Sequence, residues 1–207
     1  MLKQYKAKRS FTETPEPKGT IKSSKGLPIF VVQKHDATRL HYDFRLEHDG
    51  VLLSWAVPKG PSLNPNDKRL AIQVEDHPFD YRDFEGIIPK GNYGAGTVMV
   101  WDEGTYTVPG AETKKEIAKA VSAGLAKGHL EVTLHGDKLN GTFHLVRTKG
   151  DEDKPQWLLF HSKDDFATQK DVTKLDHSVK TGRSLDEIGG KEIKTKKKAR
   201  VKSSQDS

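Results

Sequence analysis

The sequence has no cysteine, which excludes disulfides, thiol nucleophiles and cysteine-ligated zinc, and suits a reducing compartment. Long apolar runs are missing too. No stretch approaches the roughly 20 apolar residues that cross a bilayer, and the opening MLKQYKAKRSF lacks the apolar centre of a secretory signal. A soluble, cytoplasmic protein without membrane contact is the expectation. GIIPKGNYGAGTV (86–98) is glycine-rich but lacks the Gly-x₄-Gly-Lys-Ser/Thr spacing of a phosphate-binding P-loop, and no helix follows it. It reads as a glycine-permitted loop that enters the GTVMVW strand and lies against a substrate. No Lys-x-Asp-Gly occurs, so nucleotidyl-lysine transfer is not expected, and no internal repeat is found.

What is present is charge, unevenly spread. Apolar residues make up 33% and charged residues 31% of the 207, enough for one modest core with tails. Residues 1–25 carry six lysines and Arg9 against Glu13 and Glu16, and 191–207 carry six lysines and Arg200 against Glu192 and Asp206. Both ends are strongly basic, and because the whole chain is only +6, the body between them is mildly acidic. Polycationic ends attract phosphate backbones through counterion release without reading sequence. An acidic body suits a bound cation.

The chain divides into an extended basic arm (1–27), pinned at Phe11 and TPEP (14–17), a β core (28–165), a C-terminal extension with a short helix (166–190), and a basic tail (191–207) too charged to fold alone. Short β-like runs fall at 29–33, 40–57, 69–75, 96–101, 129–136, 141–148 and 156–162. Asp49-Gly50 reads as a hairpin turn and Asp102-Glu103-Gly104 as a second tight reversal. One helix is predicted over 111–128, with Ile117, Ala120, Val121 and Leu125 on its apolar face and Gly128 as its stop. Ser184-Leu185-Asp186-Glu187 has capping-box spacing. About seven strands and one helix point to an antiparallel barrel or sandwich, mainly β.

Chemistry concentrates in KHDATRLHYDFRLEHDG (34–50). Strand alternation sends Tyr42, Phe44 and Leu46 to one face and His41, Asp43 and Arg45 to the other, about 7 Å apart in Cα. Asp36 to Arg39 is turn-like and can fold His35 back beside His41. Two imidazoles and a carboxylate form a half-shell for Mn²⁺, Fe²⁺ or Zn²⁺, and a planar guanidinium suits phosphate oxygens. The bland alternative is a solvated strand face. Further on, Arg69, Ala71, Gln73 and Glu75 share one face of a strand whose other face is Leu70, Ile72 and Val74. Pro78 ends that strand and leaves His77 at its mouth, as a phosphate donor, an acid, or a turn residue. Lys59 is a phosphate contact or an ordinary loop lysine. His129, His135, His144, His161 and His177 show no ligand spacing and read as structural or surface.

His35-x₅-His41-x-Asp43-x-Arg45, LLSWAVPKGPS (52–62), EDHPFDYRDFEGIIPKGNYGAGTVMVWDEGTY (75–106) and TGRSLDEI (181–188) together resemble the 3′-phosphoesterase domain of bacterial DNA ligase D, a module that also occurs alone. The resemblance spans about residues 9–188. It implies a compact antiparallel β barrel and a two-step enzyme that removes a 3′-terminal ribonucleoside and then hydrolyses the 3′-phosphate. The cofactor it implies is Mn²⁺ or another divalent transition metal such as Zn²⁺ or Co²⁺. By position, His35, His41 and Asp43 are the implied metal ligands, and Arg45 and His77 the groups on the scissile phosphate, with Tyr81 assisting. Lys59, Arg69 and Glu75 match a supporting polar shell, and Arg9 and Glu16 match residues of the ribonucleoside step. Ser10 stands where the family commonly has Asp. Primer–template 3′ ends are the implied substrate, with Ku and ligase or polymerase modules as implied partners in DNA end joining. Two other readings compete: a cupin-like small-molecule metalloenzyme, which the six-residue histidine spacing disfavours, and a non-catalytic DNA-binding module of end joining.

Overall fold

The computed structural model describes residues 2–148 and 154–190; the basic tail 191–207 lies outside the described residues. Nine strands occur among them: β1 (Ile29–Asp36), β2 (Leu40–His48), β3 (Val51–Val57), β4 (Arg69–Pro78), β5 (Gly86–Ile88), β6 (Gly96–Thr107), β7 (His129–Gly136), β8 (Asn140–Arg147) and β9 (Gln156–His161). Three helices accompany them: α1 (Lys3–Ala7), α2 (Lys114–Lys127) and α3 (Leu185–Ile188). The order β1-β2-β3-β4-β9-β8-β7-β6, with β6 paired back onto β1, closes an eight-stranded antiparallel barrel, and β5 lies on the β6 edge. Of the barrel and the sandwich left open by the strand pattern, the barrel is found. None of the described helices is long and apolar enough to cross a membrane.

Local chemistry explains the joints. Asp49 (φ 46°) and Gly50 (φ 82°) both take positive φ, which a two-residue turn between right-twisted strands requires. Thr113 and Glu116 form a reciprocal capping box at the start of α2, and Gly128 ends it in the left-handed region at φ 74°. The Ser184–Glu187 box caps α3 in the same way.

Side chains from all eight barrel strands meet inside, around Trp55, Trp101, Trp157, Phe44 and Phe143, with Ile117 and Val121 of α2 and Leu185 and Ile188 of α3 packed against them. A second apolar cluster lies on the opposite face of the β1–β6 side: Val31, Leu52, Val98 and Val100 under Leu2, Tyr5, Phe79, Tyr81 and Phe84. Residues 1–27 are therefore not simply an extended arm. Lys3–Ala7 is helical because Tyr5, fully buried, anchors it on this second cluster.

Two other expectations fail for physical reasons. Asp102-Glu103-Gly104 is no reversal; β6 runs straight through it, pairing with β1 and β7. Gly104 is needed for close approach, since a Cβ there would lie 2.0 Å from the His135 carbonyl oxygen. Asp102 accepts hydrogen bonds from the backbone N–H groups of Asp137, Lys138 and Leu139. On β4 the assigned faces are reversed. Ala71 is fully buried opposite Trp157, where the indoles leave room for a small residue, and Gln73 accepts from the Trp157 indole N–H, while Leu70 is 40% exposed. A bulge then intervenes. Ser54 pairs with Val74 but Leu52 pairs with His77, so one extra residue of β4 switches His77 to the outward face.

Candidate metal centre

His35 and His41 are directly opposed in the β1–β2 ladder, with ring centroids 4.8 Å apart. Asp43, two residues beyond His41, points to the same face. His35 Nδ1 lies 3.5 Å from Asp43 Oδ2 and His41 Nε2 lies 3.7 Å from Asp43 Oδ1. The other ring nitrogens define the tautomers. His35 Nε2 contacts the Gly94 carbonyl at 2.8 Å and His41 Nδ1 contacts the Arg39 carbonyl at 2.9 Å. A carbonyl only accepts, so both contacting nitrogens carry the proton. When each ring is neutral, the facing nitrogens and the carboxylate are three acceptors that converge. That is the donor set, with backbone carbonyls orienting the imidazoles, that a divalent transition metal requires. Ligand atoms about 2.1 Å from one ion at tetrahedral angles stand about 3.4 Å apart, close to the spacings here.

Arg45 is clamped beside this centre. It contacts Asp43 Oδ2 at 3.2 Å, and it donates to Gln33 Oε1 and to Ser54 Oγ, each at 2.8 Å. Its guanidinium lies 4.9 Å from the Tyr81 ring centroid. Burial alone would raise the Asp43 pKa, but Arg45, His35 and His41 outweigh it and hold the carboxyl well below its ordinary value. His77 Nδ1 donates to the Glu75 carbonyl at 2.9 Å, and its Nε2 accepts from Arg9 at 3.2 Å. Burial, reinforced by Arg45 and Arg9, pushes its pKa well below the ordinary histidine value, so the ring is neutral. Tyr81 donates to Glu16 at 2.8 Å; burial and then Glu16 keep its hydroxyl protonated.

The N-terminal arm completes the cleft. Arg9 binds Glu16 at 2.8 Å and Glu75 at 3.3 Å, and Lys8 reaches Glu75 at 3.0 Å. The resulting cleft, about 320 Å³, is lined by Arg9, His35, His41, Asp43, Arg45, Glu75, His77 and Tyr81 among others. Glu16 is buried behind it, joined to Arg9 and Tyr81. A larger cavity of about 690 Å³, between residues 21–23, the β2–β3 turn and α2, gathers no comparable donor set.

Two expected residues are not brought in. Lys59 is exposed and Arg69 pairs with Asp67 at 3.0 Å; neither lines the cleft. Ser10 is also outside it, its hydroxyl 3.1 Å from that of Thr12. Sequence reasoning missed Gln33, which orients Arg45 and ties the Tyr81 and Phe84 carbonyls to the sheet. Its signal was a lone amide in an apolar strand, opposite Asp43 once His35 faces His41. It also missed Ser54, Gly94 and Tyr93. Finally, His129 and His144 are not isolated, since with Glu131 they form a second cluster of possible ligands.

Residues 33–147 match the family model described as DNA Ligase D 3′-phosphoesterase domain. The chain is 55% identical over 172 residues to the multifunctional non-homologous end joining protein LigD of Pseudomonas aeruginosa, covering 82% of this chain and 19% of that protein. It is 45% identical over 163 residues to the LigD of Mycobacterium tuberculosis (78% and 20%) and 42% over 164 residues to that of Mycolicibacterium smegmatis (79% and 21%). The chain spans about a fifth of the length of these relatives.

Proposed function

This chain belongs to the DNA ligase D 3′-phosphoesterase domain family, and on that footing we propose that it processes DNA 3′ ends as a divalent-metal-dependent phosphoesterase. In this reading it removes a 3′-terminal ribonucleoside to leave a 3′-phosphate, then hydrolyses that phosphate to a 3′-hydroxyl. The observation that carries the proposal is the convergence of His35 Nδ1, His41 Nε2 and the Asp43 carboxylate beside a clamped guanidinium.

His35, His41 and Asp43 would hold the ion, Mn²⁺ or a relative such as Zn²⁺ or Co²⁺. When bound, such an ion supplies Lewis acidity towards a phosphate oxygen and activation of water. The remaining work falls to the chain. Arg45 has five N–H groups; one on Nε and one on each terminal nitrogen are engaged, which leaves one on each terminal nitrogen for equatorial phosphate oxygens. Gln33, Ser54 and the Tyr81 ring hold its plane, so little reorganisation accompanies reaction. His77 Nε2 is a base in the free protein. A phosphate dianion beside it favours the imidazolium, which then donates to a phosphoryl or leaving oxygen. Arg9 and Glu16 are proposed to serve the ribonucleoside step from the arm. Lys59 and Arg69, outside the cleft, are proposed to touch only more distant parts of the DNA. Ku, ligase and polymerase modules as partners, and a cytoplasmic setting, belong to the same proposal.

The test is incubation with a primer–template bearing a 3′-terminal ribonucleotide, with and without Mn²⁺. A 3′-phosphate intermediate that gives way to 3′-hydroxyl only with metal is the expected course. DNA binding insensitive to EDTA and without turnover would favour the non-catalytic DNA-binding module instead.

A further inference from the structure

The wall opposite the cleft carries a second set of donors. In the closed order of strands, β8 lies diametrically across the barrel from β2. On its outward face Glu131 of β7, His144 of β8 and Phe160 of β9 form one cross-strand row. His129 is two residues before Glu131, so it shares that face and meets His144 diagonally. His129 Nε2 and His144 Nδ1 are 3.2 Å apart, and Glu131 Oε2 is 3.9 Å from His144 Nδ1. Ligand atoms of all three fall within 4.8 Å of one another.

The central imidazole is held in place. His144 stacks on Phe160, ring centroids 5.1 Å apart and 18° from parallel, and its Nε2 lies 2.8 Å from Ser162 Oγ. A hydroxyl both donates and accepts, so Ser162 supports either tautomer and leaves Nδ1 available as a lone pair. With no ion, the 3.2 Å contact is a hydrogen bond in which one ring donates its single proton to the other. An ion takes the place of that proton, and His129 then carries its own proton on the other ring nitrogen.

We propose that His129, Glu131 and His144 form a second divalent transition-metal site, independent of the cleft and open to water on its outer side. Two imidazoles and one carboxylate select Zn²⁺, Co²⁺, Ni²⁺ or Cu²⁺ over Mg²⁺ and Ca²⁺. The ion clips β7 to β8 and leaves positions free for water or a ligand from another molecule. The spacing eluded the sequence because His129 and His144 are fifteen residues apart and meet only through the β7–β8 register.

Isothermal titration of the tag-free protein with Zn²⁺, read alongside histidine side-chain ¹⁵N spectra, tests this. Wild type binds two ions per chain. His41→Ala, which disables the cleft, retains one ion, whose binding moves the His129 and His144 ring resonances. His129→Gln, at an exposed position that does not carry the core, loses the second ion or weakens it at least tenfold and keeps the first; Glu131→Gln weakens it less. Removal of 3′-phosphate by His129→Gln is unchanged. One ion in wild type with none in His41→Ala overturns the proposal, as does a His129→Gln protein that binds two ions with unaltered affinities. Neither outcome bears on the phosphoesterase reading, which rests on the other wall.

Discussion

The two walls of the barrel share one alternation and treat its outward positions differently. On β1–β4, Gln33, His35, Asp43, Arg45, Ser54 and His77 point outward and are all buried, because α1, the Phe79–Asp83 turn and the Gly94 loop close over them. On β7 and β8, Glu131, Thr133, Thr142 and His144 are half-buried, and His129 and His135 are exposed. Burying charges is unfavourable unless each finds partners. The near wall meets that condition with a continuous network from Gln33 through Arg45 and Asp43 to the histidines. Polar side chains there cannot be put down to a solvated surface.

The largest expected effect that would break this contrast is on activity. His41→Ala should abolish release of 3′-phosphate; a variant within about tenfold of wild type, roughly 1.4 kcal/mol in barrier, contradicts its assignment as a ligand. Next comes stability. Arg45→Ala leaves Asp43 buried without its cation and should lower the unfolding free energy of the metal-free protein by about 3 kcal/mol. Glu131→Ala on the far wall should change it by no more than about 0.5 kcal/mol. Urea titrations that gave equal losses would erase the distinction between the walls. The smallest effect is in pH. His77 is neutral in the fold, its pKa pushed well below 6.5 by burial, Arg45 and Arg9, whereas the unfolded chain protonates near 6.5. Its contribution is therefore complete above pH 6.5 and lost as pH falls below it. In EDTA, between pH 6.5 and 5.5, His77→Gln should show a shallower decline than wild type, by up to about 1.4 kcal/mol per pH unit. Parallel curves would remove His77 from the buried network.

Much of the near wall was legible because it is local. The facing of His41, Asp43 and Arg45 follows from alternation, and the His35–His41 approach follows from a short turn. The Asp49-Gly50 hairpin and the ends of α2 and α3 follow from turn and cap chemistry. What stayed hidden depends on distant segments. Gln33 is one polar residue at the end of a strand run, and only its neighbours across the ladder give it a role. Tyr5 sits in a segment whose composition suggests a loose arm, yet its buried ring docks that segment. Gly104 was misread because glycine serves both reversals and close backbone contact, and only the partner strand tells which.

The bulge in β4 has a further consequence. Counted strictly in twos, His77 falls in step with Gln73, whose side chain is inside the barrel. The one surplus residue between Val74 and His77 works on the strand as a frameshift works on a coding message, changing the sense of everything downstream. Deleting Asp76 would remove one carboxylate and turn the imidazole to the wrong side of the wall. A relative one residue shorter in this stretch should therefore be read as having lost the histidine from the site, even where the letter is still there.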